Sequence, residues 1–172
     1  MPRARENSEL VRIYIGIGTN VDRRYHIKRG LHGLNRKFRN VRRSPIYENK
    51  AVGFTGDNFY NFVVGCDTHM GLKRVISVLR QIENENGRDR SQPRFSNRNL
   101  DLDLLLYGDL VLDTGSLQLP RPDIEQYAYV LCPLADIAGE LRHPVSGKTY
   151  AEMWSEFNQP DQELWPAKIG LL

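Results

Sequence analysis

Asn99–Tyr107 reads NLDLDLLLY, and its alternation of polar and apolar residues has the period of two that is typical of a β-strand. Asp101 and Asp103 would then share one face of the strand, with their Cα atoms about 7 Å apart. The opposite face is predicted to enter a core through the leucines at the alternate positions, Leu100, Leu102, Leu104 and Leu106. The stretch therefore predicts a strand that is buried on one side and carries a carboxylate pair on the other.

Upstream of this strand, strand-like and helix-like patterns follow one another along the chain. Strands are indicated by runs of β-branched and aromatic residues, and helices by apolar residues three or four positions apart. The predicted elements are a strand at Val11–Gly18, a helix at about 24–38, strands at Ser44–Glu48 and Asn58–Thr68, and a helix that is capped by Thr68 and ends near Gly87. With Asn99–Tyr107 the order is β-α-β-β-α-β, which predicts an α+β, ferredoxin-like antiparallel sheet with helices on one face.

The rest of the chain predicts C-terminal additions to this core. A hairpin is indicated around Gly115, a short helix lies within Tyr129–Leu141, and Thr149 begins a capping box for a last helix. We expect one domain at 11–160, with a flexible N-terminal tail at 1–10 and a C-terminal tail at 161–172.

The composition is that of an ordinary globular protein. Of the 172 residues, 40% are hydrophobic and 26% are charged, which excludes a wholly disordered chain. The longest apolar runs are far shorter than the roughly 20 residues that a membrane-spanning helix needs. Cys66 and Cys132 each lie in apolar sequence, as buried thiols do in a reducing compartment. We therefore expect a monomeric cytoplasmic protein that does not enter a membrane.

Basic residues are concentrated between Arg23 and Arg43, although the net charge of the chain is only +3. Such a block can attract nucleic acid or a polyphosphate. It is also typical of a solvated helix face followed by a basic loop, and we favour this second interpretation.

A polar loop at Asn84–Asn99 lies directly before the carboxylate pair, and Glu83 closes the helix in front of it. Two neighbouring carboxylates repel each other and favour a bound cation, and Mg²⁺ combines protein carboxylates with phosphate oxygens. Arginine binds phosphate through paired N–H donors, and the loop contains Arg88, Arg90, Arg94 and Arg98. The pattern favours a magnesium–nucleotide site without the glycine-rich loop of P-loop proteins. A solvent-facing strand edge is the alternative for the carboxylates.

Several motifs occur in the order and spacing of one family of folate-pathway enzymes. They are Tyr14–Asn20 (YIGIGTN), Ser44–Tyr47 (SPIY), Gly53, Phe59–Asn61 (FYN), the arginine loop with Leu100–Asp103 (LDLD), Val130–Leu134 (VLCPL) and Asp136–Leu141 (DIAGEL). On these residues the chain resembles the 6-hydroxymethyl-7,8-dihydropterin pyrophosphokinases from about residue 14 to residue 141. The resemblance implies a ferredoxin-like α+β fold and transfer of pyrophosphate from ATP to the pterin hydroxymethyl oxygen, with release of AMP.

The resemblance also implies a role for individual residues. Asp101 and Asp103 are similar to ligands of two Mg²⁺ ions, and Arg88 and Arg98 are similar to arginines that stabilise the transferring group. The implied ATP contacts are Glu83, Arg90, Leu104 and Arg121, and the implied pterin contacts are Gly53, Phe59, Asn61, Phe95 and Tyr129. Aromatic faces and an amide suit a flat heterocycle. The nucleophile would be the hydroxyl of the substrate.

The chain departs from the family pattern around the substrates. Arg121 stands where the family has a histidine, and Tyr127 where an arginine is common. Three aromatic positions also differ: Tyr129 stands where the family has phenylalanine, Phe95 where it often has tryptophan, and Phe59 where it has tyrosine. We expect a working pyrophosphokinase. Two alternatives stay open: a diverged member of the family that acts on or binds another reduced pterin, and an RNA-binding ferredoxin-like module that uses the basic block.

Overall fold

The centre of the fold is β1 (Val11–Thr19), which pairs antiparallel with β4 (Phe59–Thr68) on one side and β5 (Asp101–Tyr107) on the other. The structure is a computed structural model that describes residues 9–88, 90–91, 93–95 and 97–170. Its other elements are α1 (Arg23–Lys37), β2 (Arg39–Arg43), β3 (Tyr47–Asn49), α2 (Leu72–Glu85), β6 (Leu112–Asp113), β7 (Gln118–Leu119), α3 (Asp123–Gln126), α4 (Ala128–Ala138), α5 (Tyr150–Glu156) and β8 (Trp165–Pro166). The main sheet has the order β5-β1-β4-β3-β8, and β2 also pairs with β4.

Helices α1 and α2 pack on one face of the sheet and complete the core of the predicted βαββαβ unit. The side chains of Ile13, Ile15 and Ile17 leave β1 on this face and meet Leu102 and Leu104 of β5. The prediction of a ferredoxin-like α+β fold is confirmed. The C-terminal additions cover the opposite face, where a second core contains Tyr14, Val63, Leu105, Leu131 and Leu134. Each central strand is therefore buried on both faces along part of its length.

A β-bulge changes the face of one predicted core residue. Ile15 pairs with Leu104 but the preceding residue of β1, Tyr14, pairs with Leu106, so that Leu105 is the extra residue. Beyond the bulge the alternation of β5 is shifted by one position. Leu106 consequently packs beside Tyr14 in the second core, and its predicted place with Leu104 was wrong.

The basic segment after α1 forms a strand, whereas we predicted a loop. β2 pairs with the far end of β4, with Arg39 opposite Asp67 and Arg43 opposite Val64. Its side chains are mostly exposed, which explains why the sequence has no strand-like alternation there. The N-cap of α2 is Gly71, because Thr68, the predicted cap, is still paired with Val11 as the last residue of β4.

The predicted C-terminal elements are present. The hairpin around Gly115 joins β6 and β7, and Thr149 begins α5 with a capping box. In the segment that we expected as a C-terminal tail, Trp165 and Pro166 add β8 to the edge of β3. Residues 1–8 of the N-terminal tail lie outside the described residues. Among the helices that are described, none combines the length and the apolar character needed to cross a membrane.

Substitution of Leu100, directly before β5, tests how much the leucine face contributes to stability. This residue is fully buried between α1 and the sheet, so Leu100→Ala should lower the free energy of unfolding by about 3 kcal/mol through lost apolar contact and a residual cavity. Urea titration measures this change. Val145→Ala, at a position that is 68% exposed, should change stability by less than about 0.5 kcal/mol. Equal effects of the two substitutions would contradict the described core.

Candidate active site

A small cavity lies where the polar face of β5 meets two glycines of β1. Gly18 pairs with Asp101 and Gly16 with Asp103, so no β1 side chain covers the two carboxylates. The cavity has a volume of about 50 Å³. Its lining includes Gly16, Gly18, Phe59, Asn61, Asp101, Asp103, Asp123 and Tyr129. The structure thus brings both predicted metal ligands together with three predicted pterin contacts.

The glycine at position 18 is required by the close approach of Asn61. A Cβ atom at Gly18 would lie 2.8 Å from Asn61 Oδ1, which is closer than a side chain tolerates. Asn61 is buried, and its Nδ2 donates a 2.6 Å hydrogen bond to Asn49 Oδ1. This bond orients the Asn61 amide, and the ring of Phe59 is packed edge-on against Phe54 beside it.

Two arginines lie next to the carboxylate pair. Arg88 Nη1 is 3.6 Å from Asp101 Oδ1, and Arg121 Nη2 is 3.6 Å from Asp103 Oδ1. Arg88 Nε and Nη1 are buried and have no hydrogen-bond partner among the described residues. Burial of these N–H donors without an acceptor is costly. An acceptor from outside the chain would satisfy these donors.

The environment of Asp103 disfavours its ionised form. Burial and the adjacent Asp101 carboxylate raise the pKa of Asp103 to about 8, although Arg121 acts in the opposite direction. The side chain is still one-third exposed, so a ligand can reach it from the cavity. A cation placed between the two carboxylates would remove their repulsion.

Asp123 was missed by the sequence analysis. It begins α3, lines the cavity, and holds Arg121 through a 3.4 Å contact between Oδ2 and Nε. Arg121 is thus placed between the carboxylates of Asp103 and Asp123. The signal available in the sequence was the spacing Arg121-Pro-Asp123, in which an acidic residue follows a turn at the start of a short helix.

Arg98 and Asn20 join the arginine-rich loop to the end of β1. Arg98 is buried, and its Nη2 donates to the carbonyls of Pro93 and Arg94 at 2.6 and 2.8 Å. Asn20 accepts the Arg98 backbone N–H at 2.7 Å and donates from its side chain to Asn97. Asn20 was quoted in the opening motif but given no role, and the structure shows that it anchors the loop.

Glu83 links α2 to β5. Its buried carboxylate accepts the Leu102 backbone N–H at 2.9 Å and lies 3.3 Å from Arg90. Burial raises the pKa of Glu83. The side chain of Leu104 lies in the core beneath α1 and α2, on the face opposite Asp101 and Asp103. The ATP contacts that we predicted for Glu83, Arg90 and Leu104 stay predictions.

Of the remaining predicted pterin contacts, Tyr129 lines the cavity, whereas Gly53 and Phe95 lie next to each other and are not among its lining residues. The ring of Tyr129 is stacked on Tyr127 with the centroids 5.0 Å apart. Gly53 has a φ of +78°, and a Cβ there would be 3.5 Å from Phe95. Phe95 is 39% exposed, and the Arg94 guanidinium lies over its ring. Burial raises the pKa of Tyr129, so its hydroxyl stays protonated at neutral pH.

Comparison with known proteins identifies the family of the chain. A sequence model of the family 7,8-dihydro-6-hydroxymethylpterin-pyrophosphokinase (HPPK) matches residues 14–139. The chain belongs to the HPPK family. The 2-amino-4-hydroxy-6-hydroxymethyldihydropteridine pyrophosphokinase of Aquifex aeolicus is 32% identical, over 84% of this chain and 91% of that protein. The enzyme of the same name from Pseudomonas aeruginosa is 36% identical, over 77% of this chain and 84% of that protein.

Solved HPPK-containing structures have the same fold. A Plasmodium falciparum HPPK-DHPS variant crystallised with pteroate has a TM-score of 0.71 at 13% identity. The similarity covers 91% of this chain but 45% of that longer chain. The chain thus spans less than half of these solved proteins, and at this identity the likeness shows the fold alone.

The family membership establishes the reaction. The protein is an enzyme that transfers pyrophosphate to hydroxymethyldihydropterin in folate synthesis, with ATP as co-substrate. The expected pyrophosphokinase function is confirmed. Neither the fold nor the cavity requires the alternative of an RNA-binding module.

The raised pKa of Asp103 predicts how the metal-free protein responds to pH. Between about pH 4 and pH 8 the folded state holds a proton on Asp103 that the unfolded state has lost. Stability should therefore fall as pH rises through this window. Asp103→Asn should flatten this slope and raise the melting temperature at pH 7.5 by about 2–4 °C, which corresponds to roughly 1 kcal/mol. Thermal melts in EDTA measure the effect, with Asp113→Asn on the exposed hairpin as a control. A lower melting temperature for Asp103→Asn would contradict the repulsion.

Proposed function

We propose that the cavity between β1, β4 and α4 holds the reacting ends of ATP and the pterin, with Asp101 and Asp103 as the metal ligands. The observation that carries this proposal is that one cavity is lined by Asp101, Asp103 and the rings of Phe59 and Tyr129, with an arginine beside each of these two carboxylates. Charge and flat apolar surface meet there, as transfer between a polyphosphate and a heterocycle requires.

The carboxylate pair fits Mg²⁺. Among the described residues no three His, Cys, Asp or Glu side chains form a group that could hold a metal ion, but Mg²⁺ needs one or two protein carboxylates when phosphate oxygens and water complete its shell. Asp101 and Asp103 would hold two ions, as the resemblance implies. When bound, the metal neutralises the triphosphate and stabilises charge on the attacking and leaving oxygens.

Arginines supply the other charges around the phosphates. Among the described residues, no acceptor meets the buried Nε and Nη1 groups of Arg88, and phosphate oxygens of ATP would satisfy them. Arg121 provides a permanent charge beside Asp103, where the family has a histidine that titrates near neutral pH. We assign Arg98 to the stabilisation of the transferring group, together with its hold on the loop carbonyls. Arg90, next to Glu83, is assigned to the ATP phosphates.

The pterin would lie between Phe59 and Tyr129. The amide of Asn61 is oriented by Asn49 and can donate and accept on the edge of the heterocycle. Gly53 and Phe95 contact each other and would close the outer side of this pocket. The hydroxymethyl oxygen of the pterin attacks the β-phosphorus of ATP and the bond to the α-phosphate oxygen breaks, which releases AMP.

The free thiols of Cys66 and Cys132 are buried, which supports a reducing, cytoplasmic setting for the enzyme. A monomeric state stays part of the proposal.

The decisive test is AMP release from ATP and Mg²⁺ with and without 6-hydroxymethyl-7,8-dihydropterin. Asp101→Ala and Asp103→Ala should each reduce pterin-dependent AMP to background, because the opposite leucine face keeps β5 folded while the metal ligands are lost. Circular dichroism checks that the variants fold. Near-normal rates in both variants would refute the assignment. Magnesium-ATP binding without AMP release would favour another reduced pterin as the acceptor, as the exchanged aromatic residues also allow.

Arg88→Ala should lower kcat by about 100-fold, since pre-aimed charge contacts contribute roughly 3 kcal/mol to transition-state stabilisation. The KM for ATP should change much less, because the contact matters most where charge develops. Steady-state kinetics with purified enzyme measure both constants. Arg36→Ala, on the exposed side of α1, removes the same type of side chain from the basic block and should leave both unchanged. A loss of ATP affinity alone for Arg88→Ala would assign this arginine to ground-state binding.

A further inference from the structure

The C-terminal segment 162–167, here termed the brace, lies beyond the residues that the family model matches. The family model ends at residue 139, whereas the brace runs from the start of α4 to the outer edge of β3. Helix α4 carries Tyr129, one wall of the proposed pterin pocket, and β3 carries Asn49, which holds the pocket residue Asn61. The brace therefore connects α4 with β3 through a part of the chain that lies outside the family model.

Gln162 holds the start of α4 through both polar atoms of its side chain. Its Oε1 accepts the Ala128 backbone N–H at 2.8 Å, and its Nε2 donates to the Gln126 carbonyl at 2.9 Å. Ala128 is the first residue of α4, where backbone N–H groups lack partners within the helix. The N-cap residue, Tyr127, makes no side-chain cap. Gln162 thus replaces the missing cap from 34 residues away.

The residue between these two contacts, Tyr127, packs against a residue that lines the cavity. Tyr127 lies between Gln126 and Ala128, and its ring is stacked on Tyr129 at an angle of 19°. Tyr129 lines the cavity with Asp101 and Asp103. The Gln162 side chain bonds to the backbone on both sides of Tyr127. It therefore helps to position the stacked pair.

The other end of the brace holds β3. Glu48 pairs with Trp165 in the sheet, and the Trp165 indole N–H donates to Glu48 Oε2 at 3.2 Å. The next residue of β3 is Asn49, which accepts the hydrogen bond from Asn61 in the cavity. The brace therefore reaches the amide side of the pocket as well as its aromatic side.

A second, larger cavity lies beside the brace, between the start of α4 and the end of β3. A cavity of about 510 Å³ is lined by Asn49–Val52 on one side, by Tyr127–Tyr129 on the other, and by Asp161–Leu164. A direct link between β3 and α4 exists farther along the helix, where Tyr47 donates to Asp136 at 2.5 Å. At the start of α4 the brace spans the gap.

We propose that the brace sets the width of the pterin pocket, with Gln162 as a positioning residue for recognition of the pterin. This inference rests on the proposed place of the pterin between Phe59 and Tyr129. The energetic reason is that a stacked heterocycle loses contact rapidly when one face moves away by a fraction of an ångström. The brace acts on the pterin side of the site and has no contact with Arg88 or Arg121 among the described interactions.

The experiment compares Gln162→Ala with Gln159→Ala. Gln159 is an exposed glutamine three residues before Gln162. Its backbone carbonyl, which accepts the Gln162 N–H, is kept in the variant. Gln162→Ala should raise the Kd and KM for 6-hydroxymethyl-7,8-dihydropterin about fivefold, in keeping with the loss of two neutral hydrogen bonds that position a contact residue. The KM for ATP and kcat should change less than twofold. Gln159→Ala should match the wild type in all four constants.

A second variant separates positioning from a general loss of structure. Gln162→Glu keeps an acceptor for the Ala128 N–H and loses the donor to Gln126, so its pterin Kd should lie between those of wild type and Gln162→Ala. Calorimetric binding of the pterin with a non-hydrolysable ATP analogue gives Kd without turnover. An unchanged pterin Kd in Gln162→Ala would overturn the inference, as would equal losses in ATP and pterin binding. Absence of pterin-dependent AMP release in the wild type would instead overturn the proposed function.

Discussion

The antiparallel register between β1 and β5 is the constraint on which the active site depends. It places Gly16 and Gly18 opposite the two carboxylates, so the polar face of β5 looks onto bare backbone. A side chain at Gly18 would displace Asn61, which lies on the next strand. One strand pairing therefore creates the cavity and aligns Asp101 and Asp103, the proposed metal ligands, with the amide of Asn61.

Two groups of the candidate site are poorly satisfied by the chain itself. Burial and the Asp101 carboxylate favour the protonated form of Asp103, and Arg88 has buried donors without acceptors among the described residues. The leucine face of β5, in the core under α1 and α2, stabilises the strand that carries this repulsion. A metal ion and a triphosphate bound as proposed would relieve both conditions at once, so folding free energy from the core would support a site prepared for charge.

Much of the fold and of the candidate site could be predicted from local sequence patterns. Periodicity defined the strands and helices of the core, because the buried faces repeat at fixed spacing. The pattern failed at Leu106, where a bulge adds one residue to β5, and at Arg39–Arg43, whose side chains are mostly exposed. Neither feature leaves a period in the sequence. Asp123 and Asn20 were missed because their partners, Arg121 and the arginine-rich loop, become neighbours through tertiary contacts.

The sequence by itself determined the family and the reaction of this protein, and the LDLD strand with the arginines before it indicated the proposed site residues. Tertiary structure decided how those groups are held. Gln162 lies 34 residues from its partner Ala128, and Trp165 reaches Glu48 across 117 residues. Side chains that satisfy distant backbone groups follow no local spacing rule, since their positions depend on how the whole chain closes around the sheet.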